Sequence, residues 1–584
     1  MPTLDELAVK WLEMDKNART RQEIMELVKA GNTKELELRL GSRIAFGTAG
    51  LRASMEAGFS RMNDLIIIQA TQGLCQYVIS QFPETAFSRG VVIGYDHRHN
   101  SERFARLAAS AFIVQGVKVH FYDQRVHTPM VPFGIKQLNA VAGVMITASH
   151  NPAKDNGYKV YWENACQIIP PHDKGIAASI EKNLEPVCWD ADLVDDEDAE
   201  GSVSRPLEEI RKKYLEELKK IHEGVPQTDL KFVYTPMHGV GLSIMKEAAR
   251  GMGLLEKMVV VEEQARPDPD FPTVKFPNPE EKGALDLAMA TADEKNIPYV
   301  LASDPDADRF AFAEKVNGTW RVLTGNQLGV LFGAYVLENY KGTDKSKLAM
   351  LCSTVSTQML SAMAETEGFK FEETLTGFKW LGNQALRLQS EGFDAEYAFE
   401  EAIGYMQTEI VPDKDGISAA VAFLSLLRNL ASRPEPLTPS QYLETLYEKY
   451  GFFENANAYL VSPSPDHTAK VFGEIRALGG EAAYPQTLGS RKVLKWRDLT
   501  VGYDSSTPDN KPTLPVDPSA QMITVELEGN VRFTVRGSGT EPKIKFYVEC
   551  KAGSREEAKK GAEEVAKDLK EEWFRPQETG LIVP

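Results

Sequence analysis

Long apolar runs, paired cysteines and an excess of basic residues are all missing from this 584-residue chain. The longest apolar run, Leu328 to Leu337, is too short to span a bilayer, which excludes a membrane-crossing helix there. Five cysteines stand at Cys75, Cys166, Cys188, Cys352 and Cys550, and none forms a C-x-x-C pair. That excludes the common zinc and redox patterns and suits free thiols in a reducing compartment. Lysine and arginine total 66 against 84 acidic residues, a net charge of −18. Such a balance argues against a broad surface for nucleic acid or anionic lipid. A phosphate ligand would then need a local basic cleft or a metal. Met1 to Glu6 shows no apolar signal core, and Leu581 to Pro584 is no lipidation motif. The expectation is a cytoplasmic protein with no membrane or nucleic-acid partner.

What is present reads as a large soluble α/β chain. Hydrophobic content is 42% and charged content 26%, and the length suggests about four domains. Residues 4–30 read as a helical N-terminal cap, with Leu7, Trp11, Ile24, Met25 and Val28 as its apolar positions. Strands are expected at Val91–Gly94, Val117–Tyr122 and Val141–Ile146, with Ser101 able to cap a helix reaching about Val114. A second pass has strands at Lys231–Tyr234, Met258–Val261 and Ile297–Ala302, and a helix from about Leu242 to Gly251. A third has strands at Leu348–Cys352, Phe369–Thr374 and Glu396–Phe399, with a helix near 357–366. Each pass ends in a strand feeding a polar loop, which points to three related α/β units.

The last stretch differs. Met522–Leu527 and Val531–Val535 alternate like paired strands around the turn Glu528-Gly529-Asn530, Ile544–Val548 is a third strand, and 554–573 is a charged helix. This is an α+β domain. Pro434, Pro436 and Pro439 mark a hinge region in 431–442, and the acidic run from Asp190 to Glu200 reads as solvated surface. The domain boundaries are placed at 1–225, 226–345, 346–452 and 453–584.

Six loops carry chemistry. Thr147-Ala148-Ser149-His150-Asn151-Pro152 sets a hydroxyl and an imidazole at a strand's C-terminal end, where open α/β sheets bind ligands. Asp304-Pro305-Asp306-Ala307-Asp308-Arg309 offers three carboxylates that can converge on a hard cation such as Mg²⁺, with Arg309 beside them for a phosphate. Arg536 to Lys545 has two glycines to free backbone N–H groups, hydroxyls at Ser538 and Thr540, and cationic ends; it lacks the Walker ending. Phe46 to Arg52 is a glycine-rich turn ending in a cation. Glu400-Glu401-Ala402-Ile403-Gly404 can bind sugar hydroxyls, and Thr376-Gly377-Phe378-Lys379-Trp380 adds a cation between aromatics.

Taken singly, each loop has an ordinary structural reading as a solvated turn, a hairpin or a helix start. Together they suit phosphoryl transfer, which depends on positioning and charge stabilisation. A serine oxygen can carry the phosphoryl group, and Lys159 can serve as general acid/base if cationic neighbours lower its pKa.

These motifs together resemble the α-D-phosphohexomutase superfamily, in its phosphoglucomutase-2/phosphopentomutase branch, in order from about Gly41 to Lys545. The stretch Asn156-Gly157-Tyr158-Lys159 fits the end of the active-serine motif, and Trp11 to Asn17 and Phe46 to Arg52 also resemble the pentomutase branch. The resemblance implies three related α/β domains with mixed sheets plus a C-terminal α+β domain around a central cleft. It implies Ser149 as phosphoserine and metal ligand, with Asp304, Asp306 and Asp308 completing a Mg²⁺ site. Arg52, His150, Lys159 and Arg309 would handle proton and phosphoryl transfer. Thr376, Gly377, Lys379, Glu400, Ala402 and Lys414 would line the sugar site. Arg536, Ser538, Gly539, Thr540 and Lys545 would hold the non-reacting phosphate. A sugar bisphosphate, ribose 1,5-bisphosphate or glucose 1,6-bisphosphate, would be the activator.

Two positions depart from the hexose-specific relatives. Ala402 stands where those carry serine, and Phe378 where they carry tryptophan. A site built for a hydroxyl bond penalises its loss, so both changes favour a pentose phosphate, with glucose phosphate activity secondary. The alternative reading is a phosphoglucomutase or a glucose-1,6-bisphosphate synthase. An aspartate-nucleophile phosphatase is disfavoured because Ser149 supplies the better nucleophile. A non-catalytic phosphosugar sensor is disfavoured because no catalytic group is missing.

Overall fold

The computed structural model describes residues 2–196, 201–538 and 543–584. The chain forms two compact units, Met1–Asn339 with Phe378–Pro439, and Tyr340–Gly377 with Ser440–Pro584. Among the described residues no helix is long and apolar enough to cross a membrane.

The first unit opens with three helices, Leu4–Met14, Ala18–Lys29 and Thr33–Leu40. Asp15 ends the first helix, taking the hydroxyl of Thr20 on Oδ2, and Asn17 caps the second by accepting from Arg19 N. Trp11, Ile24, Leu36 and Leu40 pack with Ala57, Phe59 and Leu65, so the helices cover the segment that follows strand Leu51–Ser54.

A six-stranded mixed sheet lies beyond them, in the order 51–54, 155–162, 142–146, 91–95, 119–121, 203–204. Strands Val91–Tyr95 and Ala142–Ile146 are parallel and wholly buried, because apolar residues occupy both faces. Asp155–Trp162 runs antiparallel to Ala142–Ile146 and pairs on its other edge with Leu51–Ser54. The sequence pattern marks no strand here; in the fold it is an eight-residue strand. Ser101 is not the cap of its helix. Asn100 holds that place at φ 61°, and the Ser101 hydroxyl donates instead to Asp96 Oδ1.

The second sheet of this unit has five strands in the order 319–322, 311–316, 299–302, 232–235, 258–260, again mixed. Phe232–Thr235 is parallel to both Met258–Val260 and Tyr299–Ala302. A hairpin, Asp394–Glu400 with Gly404–Gln407, and the buried helix Gly416–Ala431 complete the unit.

In the second unit, Leu348–Ser353 pairs in parallel with Lys370–Thr374. Its other sheet has eight strands, all antiparallel in their pairing, with Lys543–Ala552 and Val531–Gly537 at the centre. Helix Arg555–Asp568 follows, and the core gathers Trp496, Phe533, Val548 and Trp573. The chain passes between the units after Asn339, after Gly377 and after Pro439, the last inside the proline-rich stretch. All five cysteines are free thiols. In the acidic stretch, Asp195 is bound by Arg106 and Arg205, and residues 197–200 lie outside the described residues.

Candidate active site

Two buried strands deliver the centre of the site from their C-terminal ends. Ala142–Ile146 feeds Ser149, and Tyr299–Ala302 feeds Asp304, Asp306 and Asp308. Ser149 Oγ donates to Asp304 Oδ2 at 2.9 Å, across 155 residues of chain. The serine backbone is left-handed, at φ 53°.

Asp304, Asp306 and Asp308 are fully buried, and each offers an oxygen within 4.8 Å of the others. At an effective dielectric of 20, two unit charges 4.8 Å apart repel by about 3.5 kcal/mol. Three bare carboxylates there demand a compensating charge. Burial, then the charges of Asp306 and Asp308, push the Asp304 carboxyl well above its usual range. Burial also opposes ionisation of Asp306, but Lys159 and the Thr128 hydroxyl outweigh it and hold that carboxyl well below. Asp306 Oδ1 and Asp308 Oδ1 are buried and take no hydrogen bond from any described residue. All-oxygen donors with two oxygens left over fit a hard divalent cation.

Oδ2 of Asp306 and Oδ2 of Asp308 are tied to cations. Lys159 Nζ donates to Asp306 Oδ2 at 2.9 Å and to Asp308 Oδ2 at 3.1 Å. Lys414 Nζ reaches the same Asp308 Oδ2 at 3.0 Å and lies 5.6 Å from the Phe378 ring centre. Arg309 donates to His150 Nδ1, which lies 3.3 Å from Ser149 Oγ. Burial, then Arg309 and Arg52, hold the His150 imidazole well below its usual range, so it is a neutral acceptor. Arg52 is solvent-exposed and donates to Asn151 Oδ1 at 3.2 Å.

The aspartate loop is gripped from several sides. Thr128 N donates to Asp306 O at 2.9 Å, Val240 N to Pro305 O at 2.9 Å, and Gly416 N to Ala307 O at 3.2 Å. Phe310 N donates to Ile403 O at 3.1 Å, joining this loop to the Glu401–Ile403 turn after Glu400. Lys379, on the first turn of helix Phe378–Ser390, donates to Thr48 Oγ1 of the glycine-rich loop.

Ser149, His150, Arg52, Lys159, Arg309, Lys379, Glu400, Ala402, Lys414 and the three aspartates thus all belong to the first unit. Thr376, Gly377, Arg536, Ser538 and Lys545 belong to the second. There Arg536 and Lys545 face each other across the hairpin ladder, and Ser538 N donates to Lys543 O at 2.8 Å. Gly539 and Thr540 lie outside the described residues. Sequence reasoning missed Thr128 and the role of Thr48. Neither has a local motif; each is found only through a partner 178 or 331 residues away.

A buried acidic triad, a serine hydroxyl on its edge and the lysines bound to it form an arrangement suited to phosphoryl transfer on an α/β scaffold. The comparisons make this specific: the chain belongs to the phosphoglucomutase/phosphomannomutase family, in its phosphopentomutase branch, and is an intramolecular phosphotransferase. Residues 43–186, 212–318 and 324–450 match alpha/beta/alpha domains I, II and III of that family, and 508–568 match its C-terminal domain. The chain is 49% identical to a probable phosphoribomutase of Schizosaccharomyces pombe, over 100% of both chains. It is 46% identical to a phosphopentomutase of Homo sapiens, over 99% of this chain and 97% of that one. A glucose 1,6-bisphosphate synthase of Homo sapiens is 42% identical over 100% of this chain and 96% of its own. A crystal structure of a putative phosphomannomutase from Thermus thermophilus shares the fold at TM-score 0.64 and 20% identity, covering 91% of this chain and 99% of that one.

Proposed function

We propose that this enzyme moves phosphate between C1 and C5 of ribose or 2-deoxyribose, using Ser149 as the phosphoryl carrier and a sugar bisphosphate as intermediate. The observation that carries the reading is the Ser149 hydroxyl 2.9 Å from Asp304, at the edge of a buried triad that still has two oxygens unused. Relatives named phosphoribomutase and phosphopentomutase, at higher identity than the bisphosphate synthase, support the pentose.

In the first half-reaction the phosphate on Ser149 passes to a sugar hydroxyl. The P–O bond to the serine breaks, a P–O bond to the sugar forms, and the sugar is now a bisphosphate. The hydroxyl proton leaves to a base, and the serine oxygen regains one. After the intermediate turns over, the second half-reaction returns its other phosphate to Ser149 with the opposite proton movement. Lys159 is the proposed acid/base, held beside the reacting oxygens by Asp306 and Asp308. Neutral His150, with Arg309 on its Nδ1, orients the serine side, and Arg52 and Arg309 balance phosphoryl charge.

Asp304, Asp306, Asp308 and the serine oxygen would hold Mg²⁺. When bound, the ion neutralises charge on the transferring group. Lys379, Glu400, Lys414 and Thr376 with Gly377 are proposed to bind the sugar, and Ala402 to remove a hydroxyl that a hexose would use. Arg536, Ser538, Gly539, Thr540 and Lys545 are proposed for the second phosphate. Ribose 1,5-bisphosphate or glucose 1,6-bisphosphate would prime Ser149, and the proposed setting is the cytoplasm.

A second reading, mainly phosphoglucomutase or glucose-1,6-bisphosphate synthase, is favoured by relatives of that second name at 42% identity. Turnover on ribose 1-phosphate and on glucose 1-phosphate, with Mg²⁺ and a bisphosphate present, separates them. A clear ribose preference is expected; a glucose preference of about tenfold, or 1.4 kcal/mol in the transition state, would overturn the pentose assignment.

A further inference from the structure

We propose that Arg98 is a positioning residue for the phosphate carrier: its guanidinium gathers the carbonyls of the serine loop and fixes the left-handed backbone that aims Ser149 Oγ. This rests on the reading of Ser149 as carrier.

Arg98 leaves the end of strand Val91–Tyr95 through Asp96 and His97. Its Nη2 donates to Ser149 O and to Asn151 O, both at 2.6 Å. Its Nη1 donates to Pro152 O at 2.9 Å and to Asp155 O at 3.2 Å. The side chain has no exposure. One planar group thus serves four carbonyls of the serine loop, from Ser149 to the start of strand Asp155–Trp162. Only the arginine fork presents donors in that layout; a lysine has three donors on one atom.

The backbone at Ser149 explains why such a clamp is needed. A non-glycine residue in the left-handed region carries roughly 1–3 kcal/mol of strain and persists only where its surroundings over-determine it. Thr147 Oγ1 accepts the Ser149 N–H at 2.9 Å, and Arg98 takes the Ser149 carbonyl. Both peptide groups flanking the serine are therefore pinned, and Oγ stays on Asp304. Arg98 is itself held by Asp96, 3.5 Å from its Nε, and by Phe271, whose ring centre lies 5.1 Å away. Asp96 is fixed in turn by the Ser101 hydroxyl at 2.6 Å and by Arg98 N at 2.9 Å. Each of these bonds ends on the loop backbone or on Asp96, none on Ser149 Oγ, so Arg98 acts through the loop.

The test uses the full chain with Arg98→Ala, Arg98→Lys and Ser149→Ala. It reads label transfer from a labelled sugar bisphosphate to Ser149, kcat and KM for ribose 1-phosphate, melting temperature, and rescue by millimolar guanidinium. A misplacement of about 1 Å is worth roughly a hundredfold in rate. Arg98→Ala is therefore expected to lose about a hundredfold in kcat and in label transfer, with KM nearly unchanged. Guanidinium is expected to restore about tenfold in that variant and nothing in Ser149→Ala. Arg98→Lys, which keeps the charge without the fork, is expected to stay impaired.

Full-speed Arg98 variants in a protein whose Ser149 takes label would overturn this proposal alone. A loss that follows melting and resists guanidinium would overturn it too, leaving only a structural role. Wild-type protein with no label on Ser149 would overturn the carrier reading, and this inference with it.

Discussion

Thr128 Oγ1 donates to Asp306 Oδ2 over 2.5 Å, and Lys159 shares the same oxygen. With Oδ2 engaged, Oδ1 of Asp306 is the oxygen left unused. The hydroxyl and Lys159 together fix which way the carboxylate turns. Partners behind a metal ligand commonly contribute 10–100-fold to metal affinity. Thr128→Val is expected to weaken Mg²⁺ binding at least about tenfold. Calorimetric titration of Mg²⁺ checks it, and unchanged affinity would remove Thr128 from the site.

Gly325 sits against the turn that follows Glu400. A Cβ there would lie 1.8 Å from Glu401 O and 2.9 Å from Ile403 N. Both are backbone atoms and cannot swing aside. Gly325→Ala is expected to cost roughly 1–3 kcal/mol in stability and to displace the turn. Activity on ribose 1-phosphate should fall about tenfold or more while Ser149 still takes label from a bisphosphate.

Glu373 in the second unit gives a pH signature. It is bound by Arg497 at 2.7 Å and by Arg532, with Thr354 also on both arginines. Burial opposes its charge, but Arg532 and Arg497 prevail and bring its carboxyl down to about 2 from an ordinary 4.5. The group is ionised in both folded and unfolded chains above 4.5, where its stabilisation is fully present. That stabilisation, roughly 3 kcal/mol, is lost as pH falls from about 4.5 to 2. Glu373→Gln is expected to destabilise the second unit at neutral pH, because two part-buried guanidinium groups lose their anion. It should also flatten the acid response. Hydrogen exchange across Lys370–Thr374 and Val531–Gly537, corrected for intrinsic rates, measures both; an unchanged slope in the variant would refute the assignment.

Much of the site is legible because its parts are local in sequence. Ser149 follows an apolar strand by three residues, and the three aspartates alternate within one loop. Lys159 is legible as a residue but not as part of a strand. Asn156-Gly157-Tyr158 carries no alternating pattern, since from Asn156 to Trp162 every residue of that strand is buried, and periodicity vanishes when both faces are covered. The helical stretch read over 4–30 is interrupted at Asp15, where a side chain competes with the backbone for Thr20. Ser101 has the right chemistry for a cap, but a buried carboxylate on Asp96 takes its hydroxyl.

The sequence by itself determined which reactive groups are present: a serine oxygen, three carboxylates, and cations on short loops after strands, in an order that resembles the phosphohexomutase family. Local covalent spacing suffices for that, because each motif lies within a few residues. Only the tertiary structure decided which groups meet. It brought Ser149 to Asp304, Thr128 to Asp306, Lys414 to Asp308, Lys379 to Thr48 and Arg98 beneath the serine loop. Those pairings follow from burial. Once packing removes water from a polar atom, that atom needs a partner, and the partner is whichever chain segment the fold places beside it.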